Sequence, residues 1–158
     1  MPVPITKKGY DALKAELDRL RREERPKVIQ AIAEAREHGD LKENAEYKAA
    51  KEQQQFIDTR TSEIESKLAS SLIIDISAIK SDTVVFGATV RLLDLNSQEV
   101  KQYALVGQEE ADLKNGTISV QSPIGRALIG HRVGDIVQIT RPAGMVEFEI
   151  QDILFEEL

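Results

Sequence analysis

The sequence predicts an α+β protein in two parts, an antiparallel coiled-coil hairpin of two long helices followed by a small antiparallel β-sheet with one short helix. Three observations carry this expectation. Residues 6–37 and 40–71 both space their apolar side chains at helical intervals, with Gly39 between them. From Ile73 onward the pattern changes to period two with β-branched runs. Among those runs, Ser122-Pro123 is a helix start, Ser as N-cap and Pro at the first helical position. The expected divisions are residues 1–75 for the hairpin, with its tip at 39–47, and residues 82–158 for the sheet.

Composition narrows the function. At 158 residues, 41% apolar and 30% charged, the chain has the make-up of a folding protein with a real core. Aromatics are 4% and Trp is absent, so the core rests on aliphatic side chains and a base-stacking platform is sparse. The net charge of −6 and the pI near 5.1 oppose autonomous nucleic-acid binding, which needs clustered Lys and Arg. The halves differ, since residues 1–75 carry net −1 and residues 76–158 net −5. Without cysteine there is no disulfide, thiolate metal site or Cys nucleophile. The first residues lack the apolar run of a signal peptide, and no stretch approaches the roughly 18 apolar residues of a membrane span. The expectation is a cytoplasmic protein that does not enter membranes.

Thr6 is the expected N-cap of the first helix, whose seam begins Tyr10, Leu13, Leu17, Leu20. Continued at the same spacing, the seam would place apolar residues at 24, 27 and 31. Position 24 is Glu and 27 is Lys, and the apolar set resumes at Val28, Ile32 and Ala35. The register therefore slips by one residue, with Pro26 inside the slip. A proline there removes a helix hydrogen bond, so one bent helix from about Thr6 to Glu37 is expected, locally unwound near Pro26. His38 and Gly39 end it. The second helix is expected from Asp40 to about Ser71, its seam using Leu41, Ala45, Ala49, Phe56 or Ile57, Ile64, Leu68 and Leu72. Helices of about 30 residues make an arm of roughly 45 Å. Most charges on such an arm are solvation, though Arg19, Arg21, Arg22 and Arg25 are candidates for touching an RNA backbone.

Gly39 to Tyr47 reads Gly-Asp-Leu-Lys-Glu-Asn-Ala-Glu-Tyr, with carboxylates at Asp40, Glu43 and Glu46. Two readings stand side by side. Asp40-Leu41-Lys42-Glu43 has the form of a capping box, which accounts for two of the acids without any function. Alternatively, carboxylates kept ionised at a helix N-terminus are hard oxygen ligands suited to Mg²⁺. Two are too few to hold that ion alone, so a partner would supply the remaining ligands of a two-metal phosphodiester site. His38 has no second histidine at metal spacing and reads as a surface residue.

In the C-terminal half, strands are expected at Thr83 to Phe86, Thr89 to Leu95, Glu99 to Val106, Thr117 to Gln121, Ile136 to Arg141 and Val146 to Leu154. Turns are expected at Asn115-Gly116 and Pro142-Ala143-Gly144. No nucleophile stands beside a base and no Gly-rich phosphate loop occurs, so this half is expected to recognise rather than catalyse.

The tip residues Gly39 to Tyr47, preceded by Ala35-Arg36, closely resemble the tip motif of the bacterial Gre transcript-cleavage factors. Ser122-Pro123-Ile124-Gly125-Arg126-Ala127-Leu128-Ile129-Gly130, followed by Gly134-Asp135, resembles the signature of their C-terminal domain. The resemblance spans essentially the whole chain. It implies a C-terminal domain similar to FKBP-type prolyl isomerases, docked at the rim of the secondary channel of bacterial RNA polymerase. It also implies a coiled coil reaching inward, where Asp40 and Glu43 help place a second Mg²⁺ and a water that hydrolyses backtracked RNA to give a new 3′ end. On this reading the chain is an accessory factor to the polymerase's own site. Asn44 and Tyr47 would support the acidic pair, Glu46 would point elsewhere, and Ser122 and Pro123 would serve docking.

Two other functions compete. A polymerase-channel plug of the same architecture would inhibit without cleaving. A self-sufficient prolyl isomerase would need an aromatic-walled pocket, for which the C-terminal half offers only Phe86, Tyr103, Phe148 and Phe155, on different strands.

Overall fold

The computed structural model describes residues 2–37 and 44–156. The chain divides into two compact units, Tyr10–Ser71 and, from both ends of the sequence, Met1–Gly9 with Leu72–Leu158.

The first unit is the helical hairpin. Helix α1 (Lys7–Arg19) runs into a π-helical turn at Leu20–Glu24, which continues as α2 (Arg25–Arg36); α3 (Ala45–Ala69) returns. The π turn is the structural form of the register slip. Its Arg25 amide donates to the Leu20 carbonyl, one residue further back than in an α-helix. The wider turn absorbs one extra residue, so Leu13, Leu17 and Leu20 before it and Val28, Ile32 and Ala35 after it all stay buried on the seam. Pro26 lacks the amide that an α-helical turn would use and its ring crowds the carbonyl four residues back, which favours the wider turn at this place.

The returning helix uses Ala50, Ile57 and Ile64, seven residues apart, as its buried seam. Of the two alternatives Phe56 and Ile57, it is Ile57 that faces inward, Phe56 being 65% exposed. Two expectations are corrected here: Ala45 and Ala49 are exposed, and Leu72 is exposed beyond the helix. The helix also starts later than expected, at Ala45 with Asn44 as N-cap. The capping box at Asp40 to Glu43 and the helix stop at His38 and Gly39 lie outside the described residues, and the helix before them ends at Arg36.

In the second unit, β1 (Val3–Thr6) pairs with β2 (Ser71–Ile74) as a two-stranded sheet that the sequence reading missed. Thr6 still caps α1, its hydroxyl accepting the Gly9 amide at 3.0 Å. The Glu110 carboxylate accepts the Thr6 amide at 3.1 Å, the Thr6 hydroxyl, and the Gly107 amide at 2.9 Å.

The main sheet comprises β3 (Thr89–Asp94), β4 (Val100–Val106), β5 (Thr117–Ser119), β6 (Ile136–Arg141) and β7 (Gly144–Leu154), in the order β5-β4-β3-β7-β6. Helix α4 (Pro123–Leu128) begins where Ser122-Pro123 placed it. Three pairings are antiparallel, but β4 and β5 run parallel, so the sheet is mixed. Asn115-Gly116 does turn the chain, as the end of a short 3₁₀ segment with Gly116 at φ +75°, yet it leads into a parallel pairing rather than a hairpin. The expected strand at Thr83 to Phe86 is reduced to one bridge, Thr83 to Arg132, before the turn at Gly87. Along β7 the inward residues run Val146, Phe148, Ile150 and then shift at a bulge, where Leu92 faces Ile150 but Arg91 faces Asp152. Phe148, Leu92, Ile150, Leu105 and Leu128 form the centre of the core.

Candidate functional site

Asp40 and Glu43 lie outside the described residues, and the geometry available is that of the two helix ends flanking them. Asn44 leaves the extended region at φ −78°, ψ 101° to start α3. Its side-chain oxygen accepts the Tyr47 amide at 3.1 Å, filling one of the donors that a helix N-terminus leaves unpaired. Its side-chain nitrogen donates to the Ala35 carbonyl across the hairpin at 2.7 Å. Ala35 is in the last turn of α2 and 2% exposed, so that carbonyl has little access to water. One residue on, the Arg36 guanidinium lies 5.9 Å from the centroid of the Tyr47 ring, a cation–π distance. Four residues from two helices are thus tied together at the base of the acidic segment.

Of the sequence candidates, Asn44 and Tyr47 are brought together. Arg36 is a further residue of the site: it closes α2, and its long cationic side chain reaches the Tyr47 ring on the returning helix. Glu46 is exposed in the first turn of α3.

The basic run is engaged with the hairpin itself. Arg21 pairs with Glu65 at 2.5 Å, Arg25 with Asp58 at 3.0 Å, and Arg22 with Asp18 at 2.9 Å. The better-shielded pair lies alongside, where Arg60 meets both oxygens of Glu16 at 2.7 and 3.0 Å. That fork, chiefly its hydrogen bond, holds the Glu16 carboxyl below the usual carboxylate range. Arg19 lines a shallow groove on the hairpin together with Glu16, Leu20 and Phe56.

In the sheet unit, Ser122 caps α4. Its hydroxyl accepts the Gly125 amide at 3.1 Å and donates to the Ser119 carbonyl at 2.6 Å, while Pro123 is exposed beside it. A Cβ on Gly125 would collide with that same Ser119 carbonyl. The following turn is held by Asp135, which accepts the Arg132 amide at 2.9 Å and lies 3.1 Å from His131 Nδ1. The backbone bond from Arg132, and then His131, hold Asp135 below its ordinary range. Phe148 is sealed in the core, with Tyr103 and Phe155 packed against it, which leaves those aromatics serving the core rather than walling a proline pocket.

The chain thus combines a two-helix hairpin, with braced helix ends on either side of residues 38–43, and a mixed-sheet unit that carries a capped short helix. Residues 3–73 match the family described as "Transcription elongation factor, N-terminal", and residues 79–155 match "Transcription elongation factor, GreA/GreB, C-term". The chain is 56% identical to a protein named transcription elongation factor GreA from Trichlorobacter lovleyi over 98% of each chain, and 54% identical, over 98% of each, to that of Pasteurella multocida. A crystal structure of GreA factor homolog 1 from Thermus thermophilus is 31% identical, covering 98% of this chain and 99% of that one, with a TM-score of 0.45. The chain belongs to the GreA/GreB family of bacterial transcription elongation factors and is of the GreA type. Among the described residues no helix is long and apolar enough to cross a membrane.

Proposed function

We propose that the chain enters the secondary channel of bacterial RNA polymerase in the cytoplasm and stimulates the polymerase's own cleavage of backtracked RNA. The observation that carries this reading is the braced pair of helix ends flanking Asp40 and Glu43, in a chain related to GreA factors along its whole length. It acts as an accessory factor, contributing side chains to a site the polymerase holds.

Asp40 and Glu43 are the residues that would share a Mg²⁺ with the polymerase, since ionised carboxylate oxygens are the donors that ion prefers and two of them leave room for ligands from elsewhere. When bound, the ion would supply Lewis-acid stabilisation of charge on oxygen. The chain's own part is to bring the two carboxylates to the nascent RNA 3′ region and to orient a water there by hydrogen bonding. Asn44 and Tyr47 keep the returning helix in register with α2, and Ser122 and Pro123 present the exposed start of α4 for docking. An RNA contact by Arg19, Arg21, Arg22 and Arg25 would require three of the four to exchange a carboxylate on the hairpin for phosphate, so the basic run ranks below the tip.

The test is RNA shortening in stalled, backtracked complexes with wild-type, Asp40→Ala and Glu43→Ala proteins. The expected result is shortening with wild type and a loss of at least about a hundredfold in each variant with polymerase binding retained. Variants that bind and cleave like wild type would overturn the tip assignment. A factor that slows elongation and leaves the RNA full length would instead be a channel plug.

A further inference from the structure

The carboxamide of Asn44 makes two bonds of different kinds, and only one of them is a helix cap. Its oxygen accepts from Tyr47 N at 3.1 Å, which Ser, Thr or Asp could do equally well. Its nitrogen donates to the Ala35 carbonyl at 2.7 Å, nine positions back in sequence and on the other helix. That carbonyl belongs to the last turn of α2, where helix carbonyls lack partners further along their own helix; the Glu37 amide also approaches it. One side chain thus serves an unpaired donor of α3 and a carbonyl at the end of α2 together. The residue type follows from the chemistry. Asp keeps the acceptor but has no donor, and would set a negative oxygen against a carbonyl at the negative end of a helix. Ser caps but is too short to span to Ala35.

We propose that Asn44 is a positioning residue for cleavage stimulation, and that the activity depends on the strap to Ala35 rather than on the cap to Tyr47. The strap joins residue 35 to residue 44 and so fixes both ends of the stretch that carries Asp40 and Glu43. The Arg36–Tyr47 contact lies beside it and resists sliding of one helix past the other. This rests on the cleavage reading above. A carboxylate pair that must complete a site held by another protein gains from ends that are already fixed, because small displacements of reacting groups are costly.

Asn44→Asp separates the two bonds, with Asn44→Ser as an uncharged second variant. Full-length proteins are compared in backtracked complexes by factor titration, so that half-saturation and maximal cleavage rate are read separately, and the titration is repeated across Mg²⁺ concentrations. Both variants are expected to keep the melting temperature within about 4 °C, since the cap remains. Half-saturating factor concentration should be unchanged, while the maximal rate falls about ten- to a hundredfold and the Mg²⁺ requirement rises. In ¹⁵N-labelled wild-type protein, the Asn44 carboxamide protons should exchange more slowly than those of exposed Asn96.

Wild-type rates in both variants would overturn the strap. So would fast carboxamide exchange, or a loss explained by weaker binding or by unfolding. Wild-type protein that leaves backtracked RNA intact would overturn the cleavage reading itself, and the strap's role in it; the exchange measurement still reports whether the strap exists.

Discussion

Gln98 has the described chain's positive φ outside glycine, +64°, in the turn from β3 to β4. The turn is built by Asp94, whose carboxylate accepts the Asn96 and Ser97 amides at 2.9 and 3.2 Å, while the Gln98 amide closes onto the Asp94 carbonyl at 2.8 Å. A left-handed conformation costs a side-chain-bearing residue about 1 kcal/mol relative to glycine, so Gln98→Gly is expected to raise the denaturation midpoint slightly, the freer unfolded chain offsetting part of the gain. A lowered midpoint would show that the Gln98 side chain, which donates to the Leu95 carbonyl at 3.0 Å, matters more than its backbone. On the hairpin, Glu16→Gln keeps the shape of the fork to Arg60 but removes its charge. Hairpin stability is expected to fall by about 1 kcal/mol at neutral pH, the range for a part-shielded charged pair, and the difference from wild type should vanish in acid. Chemical denaturation at pH 7 and pH 3 measures both.

The element that most clearly joins sequence to structure is the π turn at Leu20–Glu24. Removing one residue there would move Val28, Ile32 and Ala35 to the places where an uninterrupted seam wants them. Deletion of Glu23 together with Pro26→Ala is therefore expected to give a continuous α-helix with an intact seam and full helicity by circular dichroism. Deletion of Glu23 alone leaves proline inside an α-helix and should cost about 3 kcal/mol. Equal stability of the two deletions would mean that Pro26 has no part in selecting the turn. In the sheet unit, α4 is held against the β5 end by close backbone approach at Gly125. Gly125→Ala must push the Ser119 carbonyl aside and is expected to destabilise by about 2 kcal/mol, whereas Pro123→Ala, at an exposed position, should leave the melting temperature nearly unchanged and test docking alone.

At the scale of the molecule, Glu16 in the hairpin and Asp94 and Asp135 in the sheet unit all have carboxyl groups held below their ordinary values by hydrogen bonds. Depressed folded-state values mean that their contribution is complete above the unfolded values of about 4 and is lost as pH falls through the lower folded ones. Melting temperature is expected to be flat from pH 7 to about 5 and to drop below about 4 in both units. A drop centred near pH 6 would point to histidine instead. The properties legible before folding are those that repeat locally: helical spacing, the one-residue slip at Pro26, period-two strands, the Ser122-Pro123 start, and the acidic motif at residues 39–47. Each is written in neighbours a few positions apart. Only the folded chain shows that Ile57 and not Phe56 enters the seam, that β5 joins β4 in parallel, that β1 pairs with β2, and that Arg21 and Arg25 are held by carboxylates on the returning helix. It also shows that Asn44 reaches back to Ala35. Those outcomes depend on which distant groups compete for the same space or the same hydrogen bond, and that competition exists only once the chain has folded.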